Sequence, residues 1–186
     1  FHNPQHRREV AEFWQIPPER LSDRPGLTAT EMVTALEEGR LKAVWIICTN
    51  PAVSMPDARR FEAALHKARN EMVQDISRLS STLPFADVVL PAAGYMEKSG
   101  VMTNAERRMS LVSQLVPPPG QALSDVEILC RFARKMGWGK HFAFKNSAEV
   151  FAEYARMTQG TNLDISGLTH ETRQARRRPP WQNHNP

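Results

Sequence analysis

The hydrophobic positions of the chain change from unbroken runs to a helical repeat and back again. The run KAVWIIC (42–48) has no polar alternation and is rich in β-branched and aromatic residues, which predicts a strand buried on both faces. Apolar residues then recur at i, i+3, i+4 and i+7 over 61–68, as in a helix lying on a sheet. EMVQD (71–75) and ADVVLPA (86–92) predict two more strands. This order implies right-handed parallel crossovers, so we expect an α/β fold with a doubly wound, mostly parallel sheet.

Capping signals predict where the helices of the first half begin and end. In TATEMVTALEEG (28–39), Thr28 and Glu31 make a capping box, and Gly39 supplies the C-terminal stop. Ser54, with Asp57 three residues later, predicts the start of the helix between the first two strands. The first 27 residues are polar and proline-marked, and they predict an irregular lead segment. The apolar stripe of the first helix is expected to consist of Met32, Ala35 and Leu36.

The second half alternates irregular stretches with helical patterns. AAGYMEKSGVMTN (92–104) is too rich in glycine and polar residues for a regular element, and a strand is predicted near 108–112. Ser124 and Glu127 make another capping box, and Gly137 ends that helix. A last amphipathic helix is predicted over Ser147–Met157. The two apolar stripes are expected to be Ile128, Leu129, Phe132, Ala133 and Met136 in the first helix, and Val150, Phe151, Tyr154 and Met157 in the second.

These elements suggest three parts along the 186 residues. Residues 1–38 form the lead segment and a short helix, 39–140 the α/β domain, and 141–186 a C-terminal helix and tail. The basic tail RRRPPW (176–181) is expected to be poorly ordered unless another domain holds it. Because the chain begins at Phe1 without an initiator methionine, we expect a fragment of a longer polypeptide.

Composition and charge narrow the classes of partner. The net charge of +4 comes largely from clusters near both ends, so we expect no nucleic-acid partner. No apolar run approaches the roughly 20 residues of a membrane span, so none is expected. Cys48 and Cys130 lack CxxC spacing and are predicted to be buried, reduced thiols of a cytoplasmic protein. The histidines are scattered and SRLSST (77–82) has no neighbouring histidine, so we predict neither a catalytic residue nor a metal ligand here.

The carboxyl ends of the predicted strands are the expected place for a ligand. TNPAVS, QDIS and PAAGYMEKSG follow the three strands and should lie along one rim of the sheet. A GxGxxG fingerprint is missing, which leaves an ordinary dinucleotide site unsupported. Asp75 can accept two hydrogen bonds from guanine, although an aspartate at a strand end often caps a loop. Asn50 before Pro51 is also a common turn former, and Lys98 either neutralises a phosphate or is simply solvated.

Several ordered blocks resemble a known family. GRLKAVWIICTNPAVSMPDA, VQDIS with FADVVLPAAGYMEKSGVMTNAERR, and PPPGQALSD are similar to the molybdopterin oxidoreductases of the dimethyl-sulfoxide-reductase superfamily. Within it, the chain is most like the assimilatory nitrate reductases of bacteria, up to about residue 168. The resemblance implies a Rossmann-like domain that binds the guanosine portion of one molybdopterin guanine dinucleotide.

The resemblance also implies the chemistry of a complete enzyme. Such an enzyme reduces nitrate to nitrite with molybdenum held by two molybdopterin guanine dinucleotides, fed by a 4Fe-4S cluster that this segment does not ligate. Its implied partners are the remaining domains of the parent polypeptide, nitrate, and an electron-donor protein or subunit. The isolated fragment is expected to be inactive.

Five residues match cofactor-contacting positions of the family. The resemblance assigns this role to Asn50, Gln74, Asp75, Lys98 and Asp125, whereas the sequence alone favours a first-turn helix acid for Asp125. The block with Thr103, Asn104, Arg107 and Arg108 also belongs to the family pattern. The resemblance does not assign these four residues to either a structural or a binding role. The chain departs from that pattern at Asn70 and Glu71, which are expected to shorten the second strand, and at Tyr95, Met96 and Ser99.

Two other functions stay open at this point. Formate dehydrogenases and periplasmic nitrate reductases share this domain, so the substrate could differ while the cofactor is the same. A non-catalytic nucleotide-binding module is the second alternative. An upstream CxxCxxxC motif in the parent gene is required by the enzyme hypotheses and not by the module.

Overall fold

A three-stranded parallel sheet organises the first half of the chain. The computed structural model describes residues 3–171, which divide after Pro91 into two compact units. In the first unit, β1 (Ala43–Ile47), β2 (Asn70–Asp75) and β3 (Val88–Pro91) pair in that order, all parallel. The α/β class and the parallel sheet are therefore confirmed. The predicted three-part division stays a prediction, and the tail 176–181 lies outside the described residues.

The helices of the first unit begin at recognisable caps. They are α1 (Pro4–Phe13), α2 (Ala29–Glu37), α3 (Pro51–Ser54) and α4 (Ala58–Leu65), with 3-10 turns at Pro18–Arg20 and Leu83–Phe85. The predicted capping box is confirmed, because the Thr28 hydroxyl accepts from the Glu31 amide and the Glu31 carboxylate accepts from the Thr28 amide. Gly39 follows the helix with a φ of 69°, a left-handed conformation that favours glycine.

The lead segment is more regular than the sequence predicts. Residues 4–13 form α1, which Asn3 caps by accepting from the amide of Gln5. Ala11 is the buried residue of this helix, so its apolar stripe is too narrow to be seen as a periodic pattern. Expecting an irregular segment throughout 1–27 was therefore wrong.

One hydrophobic core joins the sheet to α2 and α4. Ile46 and Val73 are register partners on β1 and β2, so both point to the same face of the sheet. The core consists of Val33, Leu36, Ile46, Phe61, Ala64, Leu65 and Val73. Val33 replaces Met32 in the predicted stripe, since Met32 is 39% exposed. The expectation that β1 is buried on both faces was also wrong, because Ile47 is 37% exposed.

Two boundary predictions need correction. Ser54 ends α3, and Asp57 caps α4 instead by accepting from the amide of Arg60 at 3.1 Å. The Pro56 ring between them lacks an N–H and interrupts a continuous helix. Asn70 and Glu71 do not shorten β2, because both belong to the strand and pair with Ala43 and Val44.

The second unit contains a hairpin and two helices. Its elements are a 3-10 turn at Tyr95–Glu97, β4 (Gly100–Thr103), β5 (Met109–Val112), α5 (Asp125–Lys135) and α6 (Ser147–Met157). The bounds of α6 and the strand near 108–112 are as predicted. Residues 92–104 are not irregular throughout, because β4 pairs with β5 in antiparallel register. Pairing of β4 with β5 provides hydrogen-bond partners for the backbone N–H and C=O groups, although the sequence is polar.

The helices of the second unit bury a different set of residues from the one expected. In α5, Ile128, Cys130 and Ala133 are buried, whereas Leu129 and Met136 are exposed. A small core brings α6 together with the hairpin and the following loop. It consists of Phe151, Ala155 and Ile165, with Val101, Met109 and Leu168 packed against them.

Candidate functional site

The carboxyl ends of the parallel strands lie at one edge of the sheet in the first unit. Ile47 at the end of β1 is the register partner of Gln74, and Asp75 at the end of β2 is the partner of Pro91. Asn50 follows β1 after a two-residue turn. This edge therefore brings the ends of both strands, with their polar side chains, to adjacent positions.

Asn50 is both a turn former and a side chain held in one orientation. Its backbone oxygen accepts from the amides of Val53 at 3.0 Å and Ser54 at 3.1 Å, which starts α3. Its side-chain oxygen accepts from the hydroxyl of Thr82 at 2.7 Å. The Asn-Pro turn is thus present, and it leaves the side chain available for a second task.

Asp75 stabilises the loop that follows β2. Its Oδ1 accepts from the amide of Ser77 at 3.0 Å, and the Ser77 hydroxyl accepts from the amide of Leu79 at 3.1 Å. The loop-capping role considered for this aspartate is therefore real. A carboxylate has about four acceptor positions, so a single backbone bond leaves capacity for a ligand.

Gln74 lies beneath this edge rather than on its surface. The residue is 0% exposed, and its backbone oxygen accepts from the amide of Cys48 at 3.2 Å. A direct ligand contact would require the side chain to move. The predicted role of Gln74 in binding stays a prediction.

In the second unit, Lys98 and Asp125 form an ion pair. Each side chain is about one-quarter exposed. The simple solvated state considered for Lys98 is therefore wrong, since its ammonium group has a carboxylate partner. Asp125 is the first residue of α5, so it also interacts favourably with the helix dipole, as predicted.

The ion pair lines a cleft of about 910 Å³ within the second unit. Polar groups at the starts of α5 and α6, including Ser124 and Asn146, line the same cleft, and Phe151 and Tyr154 add aromatic surface. Both caps are occupied, because Ser124 accepts from the amide of Glu127 and Asn146 from that of Glu149. The cleft therefore combines several charged side chains, including this ion pair, with an apolar wall.

The family-like block around 103–108 forms the tip of the β4–β5 hairpin. The side chain of Asn104 accepts from the amide of Arg108 at 2.9 Å, and its backbone amide donates to the oxygen of the same residue at 3.0 Å. Arg107 has a φ of 59°, in the left-handed region. Asn104 thus has a clear structural role in the turn.

Two buried polar residues were missed by sequence reasoning. Thr82 is 0% exposed and contacts Asn50, although the stretch SRLSST was considered only for a nucleophile. Glu71 is 3% exposed at the opposite end of β2. Burial, and secondarily the Asp87 carboxylate, raise the pKa of Glu71 to about 7. The burial of Glu71 could have been expected from its place on β2. Glu71 lies two residues before Val73, and alternate residues of a strand point to the same face of the sheet.

The cysteines differ from each other. Cys130 is buried, and its burial raises the pKa of its thiol. Cys48 is exposed at the end of β1, so expecting both thiols to be buried was wrong. Within residues 3–171, no three histidine, cysteine, aspartate or glutamate side chains are grouped to hold a metal ion. None of the helices in the described part of the chain is long and apolar enough to cross a bilayer.

Comparison with known proteins agrees with this architecture. The family model described as Molybdopterin oxidoreductase matches residues 2–135. A nitrate reductase of Synechocystis sp. is 43% identical over 169 residues, which cover 91% of this chain and 24% of that protein. A formate dehydrogenase alpha subunit of Methanocaldococcus jannaschii is 40% identical over 148 residues, or 79% of this chain and 21% of that protein. The chain thus spans between a fifth and a quarter of the length of these relatives.

Comparison with solved structures also supports the fold. Acetylene hydratase from Pelobacter acetylenicus superposes with a TM-score of 0.63 over 79% of this chain and 20% of that one. The sequence identity is 22%, so this likeness concerns the fold alone.

Proposed function

Because the chain belongs to the molybdopterin oxidoreductase family, we propose that it binds the guanosine portion of a molybdopterin guanine dinucleotide in an enzyme that reduces nitrate to nitrite. The observation that carries the proposal is the identity of 43% with a nitrate reductase over nine-tenths of the chain. The reaction consumes two electrons and two protons per nitrate and releases water with nitrite. When bound, the molybdenum-pterin group supplies the oxygen-atom transfer, and this chain holds and orients it.

The donor and acceptor chemistry of the sheet edge fits a guanine nucleotide. Guanine presents two neighbouring donors, N1–H and the N2 amino group, which a carboxylate accepts well and an adenine cannot supply. Asp75 offers that carboxylate at the strand end, with its loop already fixed by the bond to Ser77. Asn50 offers a carboxamide at the end of the neighbouring strand. Gln74 would support this edge from below, since it is buried.

The second unit is proposed to contribute charge. Lys98 carries a positive charge at the cleft, and Asp125 holds its ammonium group in place. A partly buried lysine with a carboxylate partner can attract a phosphate and still return to its partner when the ligand leaves.

The complete enzyme would need more than this chain. We propose that the remaining domains of a longer polypeptide, a 4Fe-4S cluster held outside this segment, and an electron-donor protein complete the activity. A second pterin dinucleotide and a cytoplasmic location belong to the same proposal.

The test of guanine recognition is Asp75→Asn in the parent enzyme. Asparagine keeps an oxygen that can accept from Ser77, but it places a donor where guanine also has a donor. We expect guanine nucleotide and molybdenum per polypeptide to fall about tenfold, as for the loss of one charge-assisted hydrogen bond. Both are measured after acid release from the purified protein.

The matched control for this variant is Asp23→Asn, which makes the same chemical change on an exposed loop. It should keep the full cofactor content. Unchanged guanine nucleotide and molybdenum content in Asp75→Asn would contradict the proposal that this edge of the sheet binds guanine.

Formate oxidation is the second candidate, favoured by the 40% identity to a formate dehydrogenase subunit. That reaction removes two electrons and one proton from formate to give carbon dioxide. The purified parent should reduce nitrate with a reduced viologen dye and should not reduce an oxidised viologen with formate. The opposite pattern would keep the cofactor proposal and replace the substrate.

A further inference from the structure

The side chain of Asn50 belongs to a short chain of hydrogen bonds that ends in a buried threonine. The hydroxyl of Thr82 donates to the side-chain oxygen of Asn50 at 2.7 Å and accepts from the backbone amide of Ala52 at 3.3 Å. Thr82 is 0% exposed, so water cannot replace either bond. Its hydroxyl is thus used once as a donor and once as an acceptor.

This arrangement decides which end of the Asn50 carboxamide faces away from Thr82. A carboxamide has one oxygen that accepts and one NH₂ group that donates, and a hydroxyl has a single proton to give. If the carboxamide were reversed, its NH₂ would meet the hydroxyl oxygen, and the buried hydroxyl proton would lose its acceptor. Leaving a buried donor without a partner is costly, so the orientation with the oxygen on Thr82 is the stable one.

We propose that Thr82 is a positioning residue, which turns Asn50 so that its NH₂ group, and not its carbonyl oxygen, meets the ligand at the sheet edge. The ligand atom at that place must then be a hydrogen-bond acceptor, such as a phosphate or carbonyl oxygen of the pterin dinucleotide. The inference rests on the proposed function, since it takes Asn50 to contact the cofactor.

The position of Thr82 supports such a role. It precedes the 3-10 turn Leu83–Phe85 that leads into β3, whereas Asn50 follows β1. The bond therefore ties the start of α3 to a different part of the unit, with Ala52 buried beside it. A side chain held this way loses little conformational freedom when a ligand binds.

The first test replaces Asn50 in the parent enzyme by aspartate and by alanine. Aspartate has nearly the same shape but no donor, so Asn50→Asp should release guanine nucleotide at least as readily as Asn50→Ala, about tenfold faster than the unchanged enzyme. The release rate is measured by filtration of the purified holoenzyme and assay of guanine nucleotide. Retention by Asn50→Asp with loss by Asn50→Ala would overturn the proposed orientation.

The second test separates positioning from simple structural support. Thr82→Val keeps the shape but removes the hydroxyl, whereas Thr82→Ser keeps the hydroxyl. We expect faster cofactor release in the valine variant and near-normal release in the serine variant. In the double variant Thr82→Val with Asn50→Ala, release should match that of Asn50→Ala alone, because Thr82 acts through Asn50.

The outcomes distinguish this inference from the proposed function. Additive losses in the double variant, or normal release from Thr82→Val, would overturn the positioning role of Thr82. Full cofactor retention by Asn50→Ala would instead overturn the binding role of Asn50, whatever the threonine variants show.

Discussion

The two units hold their candidate binding residues in different ways. Before Pro91, Asn50 and Asp75 are oriented by uncharged partners, a buried hydroxyl and a backbone amide. After it, Lys98 and Asp125 are oriented by each other's charge in a partly exposed cleft. The hydrogen bond from Thr82 to Asn50 joins uncharged groups and is little affected by salt, whereas exposed charges are screened. The first unit therefore orients its candidate residues through hydrogen bonds, and the second does so through an ion pair.

The largest expected difference between the units concerns their cores. Leu65 is fully buried where α4 meets the sheet, and Leu65→Ala should lower the local free energy of unfolding by about 3 kcal/mol through lost burial and a cavity. Hydrogen exchange of the β1 and β2 amides measures this. Ile165→Ala in the smaller second core should cost less, as measured on the α6 amides.

A matched control for the core prediction lies in the same unit. Leu79 is 92% exposed, so Leu79→Ala removes the same atoms from a position already in contact with solvent. Its effect should stay within about 0.5 kcal/mol. A loss of protection in α6 from Ile165→Ala that equals the effect of Leu65→Ala would contradict the ranking of the two cores.

The second prediction concerns the direction in which pH acts on each unit. Burial raises the pKa of Glu71 to about 7, so the folded first unit holds a proton that the unfolded chain gives up near 4.5. The contribution of Glu71 to stability is therefore complete below pH 4.5 and is lost as the pH rises to about 7, by about 3 kcal/mol. Burial lowers the pKa of His170 in the second unit. The stability that neutral His170 contributes to that unit is therefore lost as the pH falls below 6.5.

These opposite slopes are measured by hydrogen exchange at a series of pH values, after correction for intrinsic exchange rates. Glu71→Gln should flatten the slope for β2 and stabilise that unit above pH 7. His170→Asn should flatten the slope for the second unit only. Asp87→Asn tests the smaller of the two causes of the raised Glu71 pKa, because it removes the neighbouring charge and leaves Glu71 buried. Parallel slopes in the two units would refute the comparison.

The smallest expected effect is that of the ion pair in the second unit. Lys98→Met keeps the aliphatic stem and removes the charge, and it should reduce protection of the α5 amides by about 1 kcal/mol at low salt. The difference should shrink at high salt because of screening. Lys140→Met, on an exposed lysine, controls for the change in net charge. A salt-independent effect would show that packing, not charge, matters at Lys98.

The sequence predicted the elements whose signals are local and strong. The capping box at Thr28, the strands β1, β2, β3 and β5, and the bounds of α6 follow from local side-chain patterns, whereas β4 was missed. The α1 helix was not predicted, for a physical reason. It buries little, so only the cap at Asn3 and the following proline indicated it.

The details of the site depend on contacts between distant positions, which patterns do not reveal. Asn50 and Asp75 could be placed at the strand ends in advance, because parallel strands share a carboxyl edge. The contact of Asn50 with Thr82 spans 32 residues, and the pair of Lys98 with Asp125 spans 27. Nothing in either local sequence distinguishes such a partner from an ordinary polar side chain.

The bond from Thr82 to Asn50 also has a consequence for the order of events during folding. Because it closes a loop of 32 residues, we expect it to form after β1, α4 and β2 have assembled and the segment before β3 has reached them. On this order Asn50 would reach its final orientation late, when the rest of the first unit has folded. Insertion of the proposed cofactor would follow folding of this unit, because an early, partly folded chain would lack the oriented side chain of Asn50.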